Sequence, residues 1–150
     1  MAFLRVFKKQ TFWIFGFCVC ILIGCTSSNT ETKLKDLSAK EIYAKAKKEF
    51  DDGDKVKAAE LFLDIERLYP YSGLAKQALL MSAVALHHEK DYESSRGSAA
   101  RFITFYPADA DTPYAYYLIA LSHYDQIDEI GRDQAITYEA LKTFRIITER

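Results

Sequence analysis

Glycine, proline and cysteine are all scarce in this 150-residue chain, at six, three and three residues. So little glycine and proline excludes a collagen-like rod. Neither sign of charge dominates: 20 Lys+Arg stand against 21 Asp+Glu, for a net −1, which excludes a polybasic nucleic-acid-binding arm. Hydrophobic residues make up 49%, which excludes a disordered tail, and the length suits one domain with a real core. Acids are missing altogether from residues 1–24, where the only charges are Arg5, Lys8 and Lys9; all 21 acids follow. The two parts are therefore different in kind.

What the first part contains is a basic stretch, MAFLRVFKKQ, and then an uninterrupted apolar run, TFWIFGFCVCILI. That order is the secretory signal pattern. The run is shorter than the roughly 20 residues of a membrane span, and it lacks the polar face of a core helix. It ends in Leu22-Ile23-Gly24-Cys25, which resembles the bacterial lipobox. That resemblance implies that residues 1–24 are a signal peptide, against an ordinary secretory signal or an uncleaved anchor. Cys25 would then be lipidated and become the first residue of the processed chain. Thr26 and Ser27 follow it, with no Asp to mark inner-membrane retention, so the resemblance implies the outer membrane. More than one acyl chain is needed for stable anchoring. With Cys18 and Cys20 removed and Cys25 acylated, no thiol remains for a disulfide or a metal. Stability must then come from packing alone.

Residues 25–37 are read as the lipidated Cys and a polar tether, whose dozen residues reach about 40 Å when extended. From Ser38 the pattern is helical. Ser38-Ala39-Lys40-Glu41 is a capping box, and Gly53 stops the helix it opens. Asp54, Ser72 and Asp91 are caps for helices over about 55–69, 73–89 and 92–106, and Pro70 and Pro107 close the second and fourth. Thr112-Pro113 predicts an N-cap with Pro at the first helical position, opening a helix to about Gln126. A sixth begins near Asp133. Ala46, Ala83 and Ala120 are 37 residues apart, as are Tyr69-Pro70 and Tyr106-Pro107. Ala46, Ala58, Phe62, Ile65 and Pro70 fall at tetratricopeptide offsets, followed by Ala83, Ser95, Ala99, Phe102 and Pro107. Ala120, Ala140, Phe144 and Ile147 make a third set, with eight extra residues between its helices. The expected fold is all-α, a tetratricopeptide-type helical-hairpin solenoid of about three pairs over 38–150: 38–70, 71–107 and an incomplete 112–150. Small residues let paired helices approach closely. The sixth helix meets the end of the sequence without a stop signal, so the expectation is the front part of a longer array.

No constellation predicts catalysis, a cofactor or a metal site. His87-His88-Glu89 cannot chelate one ion, because adjacent helical residues face apart. The His-x-x-x-His spacing of zincins, Gly-rich phosphate loops and nucleophile elbows are all missing. The informative residues are aromatic. Tyr43, Phe50, Tyr114, Tyr117 and Tyr124, with Leu80, Val84, His87 and His88, fall at offsets that line the concave face of such solenoids. They either pack between repeats or form a peptide groove with aromatic anchors.

Several of these motifs together resemble one family. The lipobox, Tyr69-Pro70-Tyr71-Ser72, the run Ala78–Ala83, Tyr114-Ala115-Tyr116-Tyr117, and Tyr124-Asp125-Gln126-Ile127 followed by Gly131-Arg132-Asp133-Gln134 in the third-repeat insertion are similar to the BamD family. BamD proteins are tetratricopeptide lipoproteins of the β-barrel assembly machinery. The resemblance implies a non-enzymatic role at the periplasmic face of the outer membrane. Amino-terminal repeats would receive the carboxy-terminal segments of unfolded barrel proteins, here on Tyr43, Lys47, Phe50, Leu80, Val84, His87 and Tyr117. Carboxy-terminal repeats would dock the barrel-forming BamA, alongside other assembly lipoproteins. It implies contact with membrane through Cys25 and none with nucleic acid. The alternative is another repeat lipoprotein, an adaptor in envelope or cell-wall organisation, which has no reason to carry the Gly131–Gln134 motif.

Overall fold

A computed structural model describes Leu34 and residues 36–127 and 134–149. The chain divides into two units, Met1–Leu34 and Lys35–Arg150. In the first only Leu34 is described; it is helical and buried. The expected signal peptide, Cys25, most of the expected tether and Gly131–Asp133 lie outside the described residues.

The second unit is built of six helices, with no strand among the described residues. They are α1 (Ala39–Asp52), α2 (Lys55–Leu68), α3 (Gly73–His88), α4 (Tyr92–Phe105), α5 (Thr112–Tyr124) and α6 (Gln134–Thr148). None is long and apolar enough to cross a membrane. The expected all-α architecture of helical hairpins is what the chain adopts.

Local chemistry sets the boundaries. Ser38 and Glu41 form both halves of the capping box: the Glu41 amide donates to the Ser38 hydroxyl, and the Ser38 amide to the Glu41 carboxylate. The Ser38 hydroxyl also donates to the Glu41 carboxylate at 2.7 Å, and this bond first, then the one from the Ser38 amide, holds Glu41 below the usual carboxylate range. Gly53 ends α1 at φ 100°, a conformation that glycine adopts at little cost. Asp54 and Asp91 accept from the amides of Lys57 and Ser94, and Ser72 from that of Leu74. The start of α5 departs from expectation. Its N-cap is Asp111, which makes no side-chain cap bond, and Thr112 is already inside the helix with Pro113 second. The Thr112 hydroxyl instead donates to the Tyr106 carbonyl at 2.7 Å, and the residue is fully buried. A tertiary bond has taken the hydroxyl that would have capped.

Helices of 13 to 16 residues joined by short connections must reverse, and each packs on its neighbour in sequence. In addition α1 touches α3, and α3 touches α5, so the first helices of the pairs lie side by side. Ala46, Ala58, Ala83, Ala99 and Ala120 are all inaccessible to solvent. The closeness that they allow is visible at Ser95, whose hydroxyl donates to the Ala83 carbonyl of the partner helix at 2.8 Å. Among the described residues, Phe62 and Phe102 are the largest fully buried side chains. Phe102 is in a cluster with Leu79, Leu80 and Ala83 of α3, Ala99 of α4, and Ala115 and Leu118 of α5. One residue thereby joins the second hairpin to the third.

Candidate functional site

The side-by-side first helices α1, α3 and α5 carry every expected groove residue. Two contacts fix how they line up. The Phe50 ring of α1 meets the His88 ring of α3 edge-on, 5.7 Å between centroids. His87 Nε2 of α3 lies 3.2 Å from Asp125 Oδ2, just past the end of α5, although out of line for a hydrogen bond. Phe50, His88, His87 and Asp125 therefore run across all three helices near their carboxy-terminal ends.

The expected residues differ in what they offer a ligand. Leu80 is only 9% exposed and belongs to the Phe102 cluster, with Val84 half-buried against it. Tyr43 is half-buried, its ring edge-on to Phe62 at 5.4 Å, and burial pushes its hydroxyl above the usual tyrosine pKa. Phe50 is half-buried between His88 and the Lys55 ammonium, which is 3.8 Å from the ring centroid and donates to the Phe50 carbonyl. His87 is half-buried, with Tyr92 edge-on at 5.3 Å. Lys47 and His88 are exposed.

The accessible aromatic surface is concentrated on α5. Tyr114 and Tyr117, three apart, stack at 6.0 Å and 22°, and Tyr117 also meets Phe144 of α6 at 6.3 Å. Burial, and next the neighbouring Tyr117, raise the pKa of Tyr114. Tyr124 is 59% exposed on the same stripe. Spacings of three and seven place these three rings on one face of the helix. Rings prepositioned in this way present apolar area with little rotamer entropy left to lose.

Asp125 is not among the expected groove residues, although the 37-residue period places it at the offset of Asp51 and His88. Of the insertion motif only Gln134 is described, exposed at the start of α6. Among the described residues no group of three or more His, Cys, Asp or Glu is arranged to hold a metal. His87 and Asp125 offer two donors and no third. This face is suited to binding through rings and apolar area.

The family model YfiO, described as outer membrane lipoprotein, matches residues 35–150. Among curated proteins, the chain is similar to the outer membrane protein assembly factor BamD of Caulobacter vibrioides, 34% identical over 109 residues, which cover 73% of this chain and 36% of that protein. The protein of the same name from Rickettsia prowazekii is 38% identical over 94 residues, 62% of this chain and 38% of the relative. That of Neisseria gonorrhoeae is 26% identical over 143 residues, 86% and 54%. The chain thus spans between about a third and a half of the length of these relatives.

Proposed function

Because the chain belongs to the YfiO family of outer membrane lipoproteins, we propose that it is a non-enzymatic scaffold for outer-membrane β-barrel assembly. Its part is to receive unfolded barrel segments on the face formed by α1, α3 and α5. The name of the relatives, outer membrane protein assembly factor, supports this reading. At the site, the observation that carries it is the exposed ring stripe Tyr114–Tyr117–Tyr124 of α5. A barrel precursor offers an extended segment of alternating apolar residues with aromatic ends. Such a segment needs to be held and released, not chemically altered. A shallow ring-lined face binds it weakly, since ordering the segment offsets much of the gain from burial. Leu80 and Val84 support that face from below, and Tyr43, Lys47, Phe50, His87, His88, Tyr117 and Tyr124 border it.

In this scheme Cys25 carries the lipid that holds the chain at the periplasmic face of the outer membrane. Confinement to that surface raises the effective concentration of the scaffold for its substrates and partners. BamA and the accessory assembly lipoproteins are the proposed partners.

The test is a photo-crosslinking amino acid placed singly at Tyr117, His88 or, as a control, the exposed Glu60 of α2. Carboxy-terminal peptides of barrel proteins should be trapped at Tyr117 and His88. Trapping at Glu60 alone would refute the assignment of the face.

A further inference from the structure

The first helices α1 and α5 bring different chemistry to the face they share. On α5 the exposed side chains at the groove offsets are rings, whereas on α1 two of them are cations. Lys40, Tyr43, Lys47 and Phe50 follow one another at spacings of three and four, so they form one stripe of α1. The stripe borders α3, since its last ring, Phe50, meets His88. Lys40 and Lys47 are exposed, and among the described residues neither has an ion-pair partner. The Tyr43 hydroxyl between them makes no hydrogen bond among the described residues, and burial, by raising its pKa, keeps it a donor. Most acids of the helix are engaged elsewhere: Glu41 by Ser38, Glu49 by Lys57 and Asp52 by Lys48. Of the acids in or just before the helix, that leaves Asp51, a turn beyond Lys47, and Asp36. Lys40 and Tyr114 share one repeat offset, and Tyr43, Leu80 and Tyr117 another. The donors of α1 therefore stand level with the rings of α5, with α3 between them.

We propose that the Lys40–Tyr43–Lys47 stripe is a carboxylate site, which takes the free carboxylate at the end of the bound segment and so fixes the segment's direction: terminus on α1, upstream aromatic residue on Tyr114 and Tyr117. The inference rests on the reading of this face as the one that receives barrel segments. Charge complementarity argues for the occupant. Two ammonium groups and a phenol are all donors, a carboxylate is an acceptor for several of them, and hydrogen bonds between charged groups are the strong ones. A chain end fits better than a side chain, because α1 is the outermost of the three first helices. A segment that crosses from α5 over α3 reaches the edge of the described helices at α1. Packed helices are about 8–10 Å apart, so α1 and α5 are separated by about 20 Å. An extended segment crosses that distance in about six residues. The aromatic residue that meets the α5 rings is therefore about six positions before the terminus.

The test uses the full chain, purified in detergent, and a fluorescein-labelled twelve-residue carboxy-terminal peptide of an outer-membrane barrel protein. The peptide is made once with a free carboxylate and once as the carboxamide, and anisotropy titrations give the two affinities. The free acid should bind about tenfold more tightly than the amide, and that gap should close in K40M/K47M. The control is K45M/K48M, which removes the same charge from α1 at positions that the helical period puts on other faces; it should keep the gap. Equal affinity of acid and amide for the unaltered chain overturns the carboxylate site and leaves the segment-binding face standing. No binding of either peptide overturns both. A gap that survives in K40M/K47M, or closes as fully in K45M/K48M, overturns the assignment to this stripe. An amidated peptide ending in glutamate that binds as tightly as the free acid overturns the choice of the chain end.

Discussion

Replacing Phe102 by Ala removes the side chain that joins α3, α4 and α5. Phe102 is inaccessible to solvent, is surrounded by Leu79, Leu80, Ala83, Ala99, Ala115 and Leu118, and lies 5.3 Å from the Tyr106 ring. Truncating a buried Phe costs about 3–5 kcal/mol in transfer and cavity energy. Its alanine neighbours cannot extend to fill the void, so we place the cost near 4 kcal/mol. For a unit spanning residues 35–150, each kcal/mol lowers Tm by about 4 °C, and F102A should melt about 15 °C lower. F102L retains most of the volume and should lose about 1–1.5 kcal/mol. F105A, at an exposed ring, should lose under about 1 kcal/mol. Because hairpins touch only their neighbours, the loss should be uneven. Hydrogen exchange should accelerate in α5 and α6 more than in α1 and α2. Thermal melts by circular dichroism check the totals. A Tm shift in F102A below about 5 °C, or one no larger than that of F105A, would refute the assignment of Phe102 as the joining residue.

Three further outcomes follow from the geometry. Ser95 donates to the Ala83 carbonyl and accepts from Ser122 at 3.4 Å, all three residues being buried. Urea titration of S95A should show a loss of about 1 kcal/mol, with S95A/S122A little worse, since the second hydroxyl has by then lost its partner; full additivity would contradict the pairing. At Gly53 a Cβ would meet nothing within 4 Å, so the φ of +100° is the whole penalty: G53A should lose about 1–2 kcal/mol and G53N less, and equal losses would show that left-handed strain is not the cause. His123 has a pKa lowered from 6.5, first by burial and next by Arg96. The unfolded chain therefore takes up the proton first as pH falls. Stability is greatest above 6.5 and declines as pH falls through 6.5 toward the lowered folded value. H123Q should flatten that slope in melts across pH 5–8, and an unchanged slope would assign it to another group.

What could be read from the sequence was what local chemistry decides. The Ser38–Glu41 box, the Gly53 stop and the caps at Asp54, Ser72 and Asp91 depend on residues within a turn of one another, and they appear where expected. The 37-residue register of small residues was legible for a related reason, as each repeat solves the same packing problem. Thr112 was misplaced by one position because its hydroxyl is taken by Tyr106, six residues back across the α4–α5 turn. The candidate site was harder to read. In α1, α3 and α5 one face meets the partner helix and another meets the next first helix, so apolar period alone cannot separate core from groove. Leu80 and Tyr117 occupy the same repeat offset, yet one is buried and the other is 40% exposed. The approach of Asp125 to His87 is not legible in the sequence, because the two are 38 residues apart and His87 is on a different helix.

The central claim is that this chain serves barrel assembly through the α5 ring stripe, and complementation tests it most directly. The native gene is replaced by one carrying Y114S, Y117S and Y124S together, whose side chains are all at least 40% exposed, and the folded barrel proteins of the outer membrane are measured by their heat-modifiable migration. The account predicts that the variant chain accumulates normally while folded barrel proteins fall severalfold. Undiminished folded barrel proteins, with cell shape or envelope attachment disturbed instead, would contradict it.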